Sequence, residues 1–171
     1  MKKILWVFLA LMLLCGCREE KPENSETMPA LTVSAAQQAL DDAMAEAKTE
    51  DEEVPAYLAE LESRTQWRVL EVEDGGDGTG RATVKVSAPD LYSVIKALEQ
   101  QTFSDSRAMD DAVTEGLRNA PLREREVALD FQLDGPRWEA FLSDSFTDAC
   151  YGGLLTYRDE LYASLEGAWA E

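Results

Sequence analysis

The chain of 171 residues carries 34 acidic side chains against 16 lysines and arginines, which gives a formal net charge of −18. A surface of that sign repels phosphate, so the composition excludes nucleic acid as a partner and excludes attachment to anionic lipid through basic patches. The chain contains no histidine. This excludes a Ser-His-Asp triad, a Cys-His pair and imidazole-ligated zinc, so an acid–base enzyme would have to use carboxylates, tyrosine or lysine.

The first seventeen residues have the build of an export signal. Lys2 and Lys3 precede an uninterrupted apolar run over residues 4–14. That run is 11 residues long, whereas a helix that spans a bilayer needs roughly 20. A basic start followed by a short apolar segment is typical of a secretory signal peptide.

The signal ends in Leu14-Cys15-Gly16-Cys17, which resembles the bacterial lipobox, where a leucine and two small residues precede an invariant cysteine. The resemblance implies cleavage between Gly16 and Cys17 and attachment of lipid to the Cys17 thiol. An ordinary cleaved signal peptide and an uncleaved anchor are the alternatives. In the lipoprotein interpretation Cys15 leaves with the signal, so Cys150 is the remaining thiol and the exported domain depends on its core instead of a disulfide.

Three regions are predicted from these features. Residues 1–16 are the lipoprotein signal peptide, residues 17–30 a lipidated disordered tether, and residues 31–171 a single domain. The tether contains the polar, proline-bounded stretch REEKPENSETMP, which has no apolar period. The mature chain would have a net charge of about −20. This charge fits a soluble domain that is attached to the extracytoplasmic side of the cell membrane by the acyl chains on Cys17 and not by basic patches.

Two amphipathic helices are predicted to open the domain. The segment TVSAAQQALDDAMAEAK has apolar residues at helical spacing, and Ser34 with Gln37 predicts a capping box at its start. Because its apolar residues are mostly alanine, we expect a closely packed neighbour. A second helix is predicted to start at Thr49, with Glu52 completing another capping box and Pro55 in the first turns, where proline is tolerated.

The next segment is predicted to be a β-hairpin. Residues 67–73 and 81–88 form its strands, on either side of the glycine-rich turn DGGDGTG. Alanine and valine alternate with polar residues along the second strand, which is the pattern of an antiparallel sheet with one covered face. Helical spacing returns after Pro89 and again over residues 106–119, and Pro121 ends the latter helix.

A second hairpin has the clearest pattern in the chain. Its first strand places four apolar residues on one face: Val127, Leu129, Phe131 and Leu133. An Asp134-Gly135 turn leads into a strand that carries Trp138. Ser143 is predicted to cap a short helix, and a last amphipathic helix follows Gly153.

This order of elements predicts an α+β fold. Helix pairs alternate with hairpins, so we expect the helices to pack on one face of a curved antiparallel sheet of about four strands.

The second hairpin also resembles a known family. Residues 133–154, LDGPRWEAFLSDSFTDACYGGL, resemble the C-terminal part of small Gram-positive lipoproteins with an NTF2-like or cystatin-like fold. The matching positions are Asp134, Gly135, Trp138, Ser143, Asp144, Phe146, Asp148, Ala149, Gly152, Gly153 and Leu154. The resemblance implies a sheet curled around a conical hollow, which some relatives use for small-molecule binding or catalysis. This chain lacks histidine and has a longer last helix than that pattern, so only the fold is carried over.

The candidate chemical groups each have a structural interpretation. The DGGDGTG segment lacks the alternating ligands and distal glutamate of an EF-hand, so a tight turn is favoured over calcium binding. Cys150 has no histidine or second thiol to activate it and is predicted to be a core residue. Inward aromatic residues either fill the core or line a pocket. The possible pocket-lining residues are Trp67, Phe131, Trp138 and Tyr151.

Three functions are compatible with these features, and none of them calls for a cofactor or a metal. The first is a membrane-anchored lipoprotein whose non-catalytic domain binds an unidentified protein or small molecule at the cell envelope. The second is an NTF2-like enzyme that uses aspartate or tyrosine as acid and base in a conical pocket, which requires a buried carboxylate with a raised pKa. The third is a structural spacer or assembly subunit.

Overall fold

The structure is a computed structural model that describes residues 28–47 and 54–169. The predicted signal peptide, the lipidation site Cys17 and the tether as far as residue 27 lie outside these ranges. Thr49 and Glu52, at the predicted start of the second helix, also lie outside them. Among the described residues, no helix combines the length and the apolar composition needed to cross a membrane.

The described residues form six helices and four strands. The helices are α1 (Val33–Glu46), α2 (Ala56–Arg64), α3 (Leu91–Leu98), α4 (Ser106–Asn119), α5 (Asp144–Cys150) and α6 (Leu154–Trp169). The strands are β1 (Gln66–Asp74), β2 (Thr79–Pro89), β3 (Leu122–Asp134) and β4 (Arg137–Phe141).

The four strands form one antiparallel sheet in the order β1-β2-β3-β4. The strands β2 and β3 are neighbours although α3 and α4 separate them in sequence. The register of β1 shifts between Val69 and Glu71, and such a bulge increases the local twist and bends the strand. The helices pack against this curved sheet, which confirms the predicted α+β class.

Short polar side chains begin most of the helices. Asp90, Asp105 and Ser143 each accept a hydrogen bond from a backbone N–H in the first turn of α3, α4 and α5, as N-cap residues do. The predicted cap at Ser34 is wrong, because Thr32 takes that role and accepts from the Ala35 N–H. Ser34 and Thr32 are equally suitable by residue type, and only the extended backbone at Thr32 distinguishes them.

The main core lies between the sheet and the first helix. Ala82, Val84 and Val86 of β2 are fully buried, while the residues between them point to the opposite face, as the alternation predicted. The alanine-rich face of α1 packs on this surface with Ala36 and Leu40 fully buried. The small side chains allow the close approach that the sequence predicted.

A second, smaller core joins three helices beside the sheet. Leu61 of α2, Leu91 of α3, and Val113 and Leu117 of α4 are buried together. The guanidinium of Arg64 donates to the backbone carbonyls of Leu117 and Ala120 at the end of α4. The prediction that Pro55 lies in the first turns of the second helix is wrong, because residues 54 and 55 are not helical and α2 begins at Ala56. Pro55 is the residue before the helix and makes no side-chain capping bond.

The described chain enters the fold at the end of the sheet formed by the β1–β2 turn. Leu31 is buried, and its backbone N–H donates to Asp74 Oδ2 over 2.9 Å. The carbonyl of Pro29 accepts from the Trp138 indole over 3.2 Å. A Cβ at Gly80 would lie 2.3 Å from Leu31 Cδ2, so a residue without a side chain lets the entering segment approach the strand.

Candidate functional site

The sheet has a second face on which polar and charged side chains point to solvent. Neighbours on this outer face follow from the strand register, which aligns Glu73 with Arg81, Arg81 with Asp130, and Asp130 with Phe141. These four side chains therefore form a row across all four strands, hereafter the cross-strand row. With strands about 4.8 Å apart, the row is about 14 Å long.

An open hollow of about 570 Å³ lies over the cross-strand row. All four residues of the row line it, together with Phe131, Gln132 and residues at the β1–β2 turn. Its size falls in the range of about 300–1,000 Å³ that is usual for small-ligand sites. The hollow combines an aromatic ring, a carboxamide and charged groups of both signs.

The charged groups in the cross-strand row interact directly. Arg81 Nε donates to Asp130 Oδ1 over 2.8 Å. The hydrogen bond with Asp130 and the charges of Asp130 and Glu73 raise the pKa of Arg81 above its usual value. The side chains of Arg81 and Asp130 are 61% and 64% exposed, and exposed pairs of this kind contribute little to stability. The pair therefore does little to hold the sheet together.

Two buried carboxylates form a second polar cluster, on the inner side of the sheet. Asp148 accepts from Arg125 Nη1 over 2.8 Å and from the Thr156 hydroxyl and N–H over 2.7 and 3.0 Å. Asp90 accepts from Ser93 and from Arg123 Nη1, the latter over 3.2 Å. Both arginines come from β3, so each carboxylate connects the sheet to the start of a helix.

These two carboxylates stay ionised at neutral pH. Burial alone would raise the pKa of Asp148, but hydrogen bonds from Thr156 and Arg125 outweigh it and lower the pKa below its usual value. Burial likewise opposes the hydrogen bonds from Ser93 and Arg123 to Asp90, whose pKa is also lowered. A general acid or base needs a pKa near the working pH. The two carboxylates have the properties of structural anchors.

A third polar cluster joins α3 to α6 at the surface. The Tyr92 hydroxyl donates to Glu160 Oε2 over 2.8 Å, and this hydrogen bond raises the pKa of the Tyr92 phenol. Lys96 lies over the rings of Tyr92 and Tyr157, with Nζ at 5.7 and 5.2 Å from the two ring centres. Because a raised pKa keeps the phenol protonated, this tyrosine acts as a hydrogen-bond donor between helices.

The Cys150 thiol is a core residue, as predicted. It is 6% exposed in the main core, and burial raises its pKa to about 12. A thiol in this state is a poor nucleophile because the reactive thiolate is rare.

We expect Cys150 in the folded protein to react with iodoacetamide about a thousandfold more slowly, near pH 8, than the same residue in urea-unfolded chain. The rarity of the thiolate and the surrounding core both protect it. Mass spectrometry of the tryptic peptide that contains Cys150 measures its alkylation separately from the N-terminal cysteines. Equal rates in the folded and unfolded chain would contradict the buried position.

The four possible pocket-lining residues fall into two core clusters. Phe131 and Trp138 are 2% and 8% exposed in the main core, and Trp67 packs at its margin with its indole N–H donating to Asp41. Tyr151 packs against the second core. Phe131 borders the hollow, but its side chain points to the inner face, as its burial shows.

Of the four possible pocket-lining residues, Phe131 alone borders the hollow, and the cross-strand row was not identified from the sequence. Alternation along β2 placed Arg81 on the polar face, and alternation along β3 could have placed Asp130 there. Phe141 is 52% exposed and breaks the polar pattern of that face, which is the signal that could have identified it. The neighbours of Phe141 in the hollow could not be predicted, because they depend on the pairing of β3 with β2 and β4.

Metal binding has no support in the described part of the chain. Among residues 28–47 and 54–169, no group of three or more cysteine or acidic side chains is placed to hold a metal ion. The DGGDGTG segment is the turn that the sequence predicted, with positive φ at Gly76 and Gly78. Asp74 and Asp77 accept hydrogen bonds from Gly76 and Thr79 in that turn.

Comparisons with protein families, with curated proteins and with solved structures found no match to this chain. The resemblance of residues 133–154 to NTF2-like and cystatin-like lipoproteins therefore stays a prediction.

Proposed function

We propose that the protein is a lipoprotein anchored at the extracytoplasmic side of the cell membrane, and that its domain binds a partner without catalysing a reaction. The anchoring rests on the sequence Leu14-Cys15-Gly16-Cys17 after a short apolar run. The binding role rests mainly on one observation, the open hollow over the cross-strand row.

The position of the hollow is compatible with an anchored domain. Gly75 and Thr79 of the β1–β2 turn line the hollow, and Met28 lies near Gly78 in the same turn. The 11 Cα–Cα steps from Cys17 to Met28 span at most about 40 Å when fully extended. A lipid on Cys17 would thus keep the hollow within reach of partners at the membrane surface.

The state of the buried carboxylates favours binding over the alternative of an Asp/Tyr enzyme. Such an enzyme requires a carboxylate with a raised pKa in a pocket. The pKa values of Asp90 and Asp148 are lowered instead, and both side chains are held by arginine and by a helix start.

Acylation is tested by intact-mass spectrometry of the protein purified from a bacterium that processes lipoproteins. We expect a mature chain that begins at an acylated Cys17, and we expect Cys17→Ala to accumulate as the uncleaved precursor. Cys15→Ala is the matched control, because alanine keeps a small residue before the cleavage point and should leave processing intact. A wild-type chain processed without acyl mass would overturn the anchoring proposal.

The binding role is tested by crosslinking in intact cells. A binding domain should recover a stoichiometric partner with the wild-type chain, and recovery should decrease for Phe141→Ala, which changes the exposed ring in the hollow. A partner recovered equally with both chains would overturn the assignment of binding to the hollow.

A further inference from the structure

We infer that the hollow binds a guanidinium group, presented by an arginine of a basic peptide segment. This inference rests on the proposed binding function and names the partner chemistry of the same site. Arginine fits because the hollow places an exposed aromatic ring beside a carboxylate. The ring can stack on the face of the planar guanidinium, and the carboxylate can accept hydrogen bonds from its edge.

The first support is the charge of the cross-strand row. Glu73 and Asp130 stand on either side of Arg81, so the row carries two acids and one base. Arg81 Nε binds Asp130 Oδ1. In the described part of the chain, Asp130 Oδ2 accepts no hydrogen bond, and Glu73 acts on Arg81 through its charge without a side-chain hydrogen bond to it. Both are acceptors for an incoming cation.

The second support is the exposed ring of Phe141. It is 52% exposed and lies opposite Asp130 in the β3–β4 register. Neighbouring strands place such side chains within contact of one another. A guanidinium stacked on the ring could therefore donate to Asp130 Oδ2 from its edge, and Gln132 borders the same hollow with a carboxamide oxygen.

The third support is the field of the whole chain. A net charge of −18 attracts basic segments and repels phosphate and other anions. The hollow is also larger than one side chain needs, at about 570 Å³, so residues beside the arginine can enter it. A basic peptide has both the positive charge and the size that the hollow accommodates.

The chain provides a matched control on the same sheet face. Lys85 pairs with Glu124 over 2.8 Å between the same two strands as Arg81 and Asp130. Neither residue lines the hollow. Asp130→Asn and Glu124→Gln therefore make the same change in charge and free the same kind of basic partner, but only Asp130→Asn changes the hollow.

The experiment is a fluorescence anisotropy titration of a dye-labelled hexa-arginine peptide with the full chain in neutral detergent micelles. We expect saturable binding that Asp130→Asn and Phe141→Ala each weaken about tenfold, a change equivalent to about 1.4 kcal/mol. Glu124→Gln should change the affinity less than about twofold. Phe141→Leu keeps apolar contact without the ring, and it should also weaken binding.

Three results would overturn the inference. The first is that hexa-arginine does not bind. The second is an equal loss of affinity for Asp130→Asn and Glu124→Gln, which would indicate non-specific attraction to the acidic surface. Unchanged binding by Phe141→Ala, with circular dichroism confirming the fold, would exclude the ring. Acylation of Cys17 is measured separately, so failure of peptide binding leaves the anchoring proposal standing, and failure of acylation leaves the peptide site standing.

Discussion

Replacing Gly152 with alanine is expected to lower the free energy of unfolding by about 4 kcal/mol or more. Gly152 has φ of +60°, and a Cβ there would lie 2.1 Å from the Pro89 carbonyl oxygen and 2.8 Å from the Leu91 nitrogen. Both atoms belong to the backbone at the β2–α3 junction, which cannot rotate away as a side chain could. Urea unfolding followed by circular dichroism measures the loss.

Gly135 provides the control for this substitution. Its φ is +56°, close to that of Gly152, but a Cβ there would have no neighbour within 4 Å. Gly135→Ala is therefore expected to lower the free energy of unfolding only by the strain of the left-handed backbone, about 1–2 kcal/mol. Similar losses for both variants would show that backbone angle governs the effect, and that the close contact between the α5–α6 turn and β2 contributes little.

Asp148→Asn is expected to lower the free energy of unfolding at neutral pH by about 2–3 kcal/mol. Asparagine can still accept from the Thr156 N–H, but its amide cannot balance the charge of Arg125. The Arg125 side chain is 31% exposed, so water partly compensates and the loss stays below the roughly 3–5 kcal/mol of a fully buried pair. Asp111→Asn, on the exposed surface of α4, should change stability by less than about 0.5 kcal/mol.

The same carboxylate makes stability depend on pH. Because the folded-state pKa of Asp148 is lowered, its contribution is complete above the unfolded-state value of about 3.9 and is lost as pH falls through the folded value. Urea unfolding below about pH 4 should therefore show wild-type stability decreasing more steeply than that of Asp148→Asn. Parallel slopes would contradict the lowered pKa of this group.

Local patterns explain why much of the fold could be predicted from the sequence. The alternation of apolar residues in β2 and β3 predicted strands with one buried face, and Ser143 predicted the start of α5. Both depend on residues within a few positions of one another. The start of α1 was predicted two residues late, because Ser34 and Thr32 differ in backbone conformation and not in capping chemistry.

The sequence by itself determined the element order, the α+β class, the burial of Cys150 and the excess of negative charge. It also contains the lipobox-like motif on which the anchoring proposal depends. Each of these follows from composition or from contacts that are local in the chain.

Only the tertiary structure decided which side chains are neighbours across the sheet. The cross-strand row joins residues as far apart as Glu73 and Phe141, and their alignment requires the register between β2 and β3, which two helices separate in sequence. The pairs of Asp90 with Arg123 and Asp148 with Arg125 depend on the same register. Hydrophobic alternation fixes which face a side chain occupies, but not its neighbour across the sheet, because that neighbour is set by long-range strand pairing.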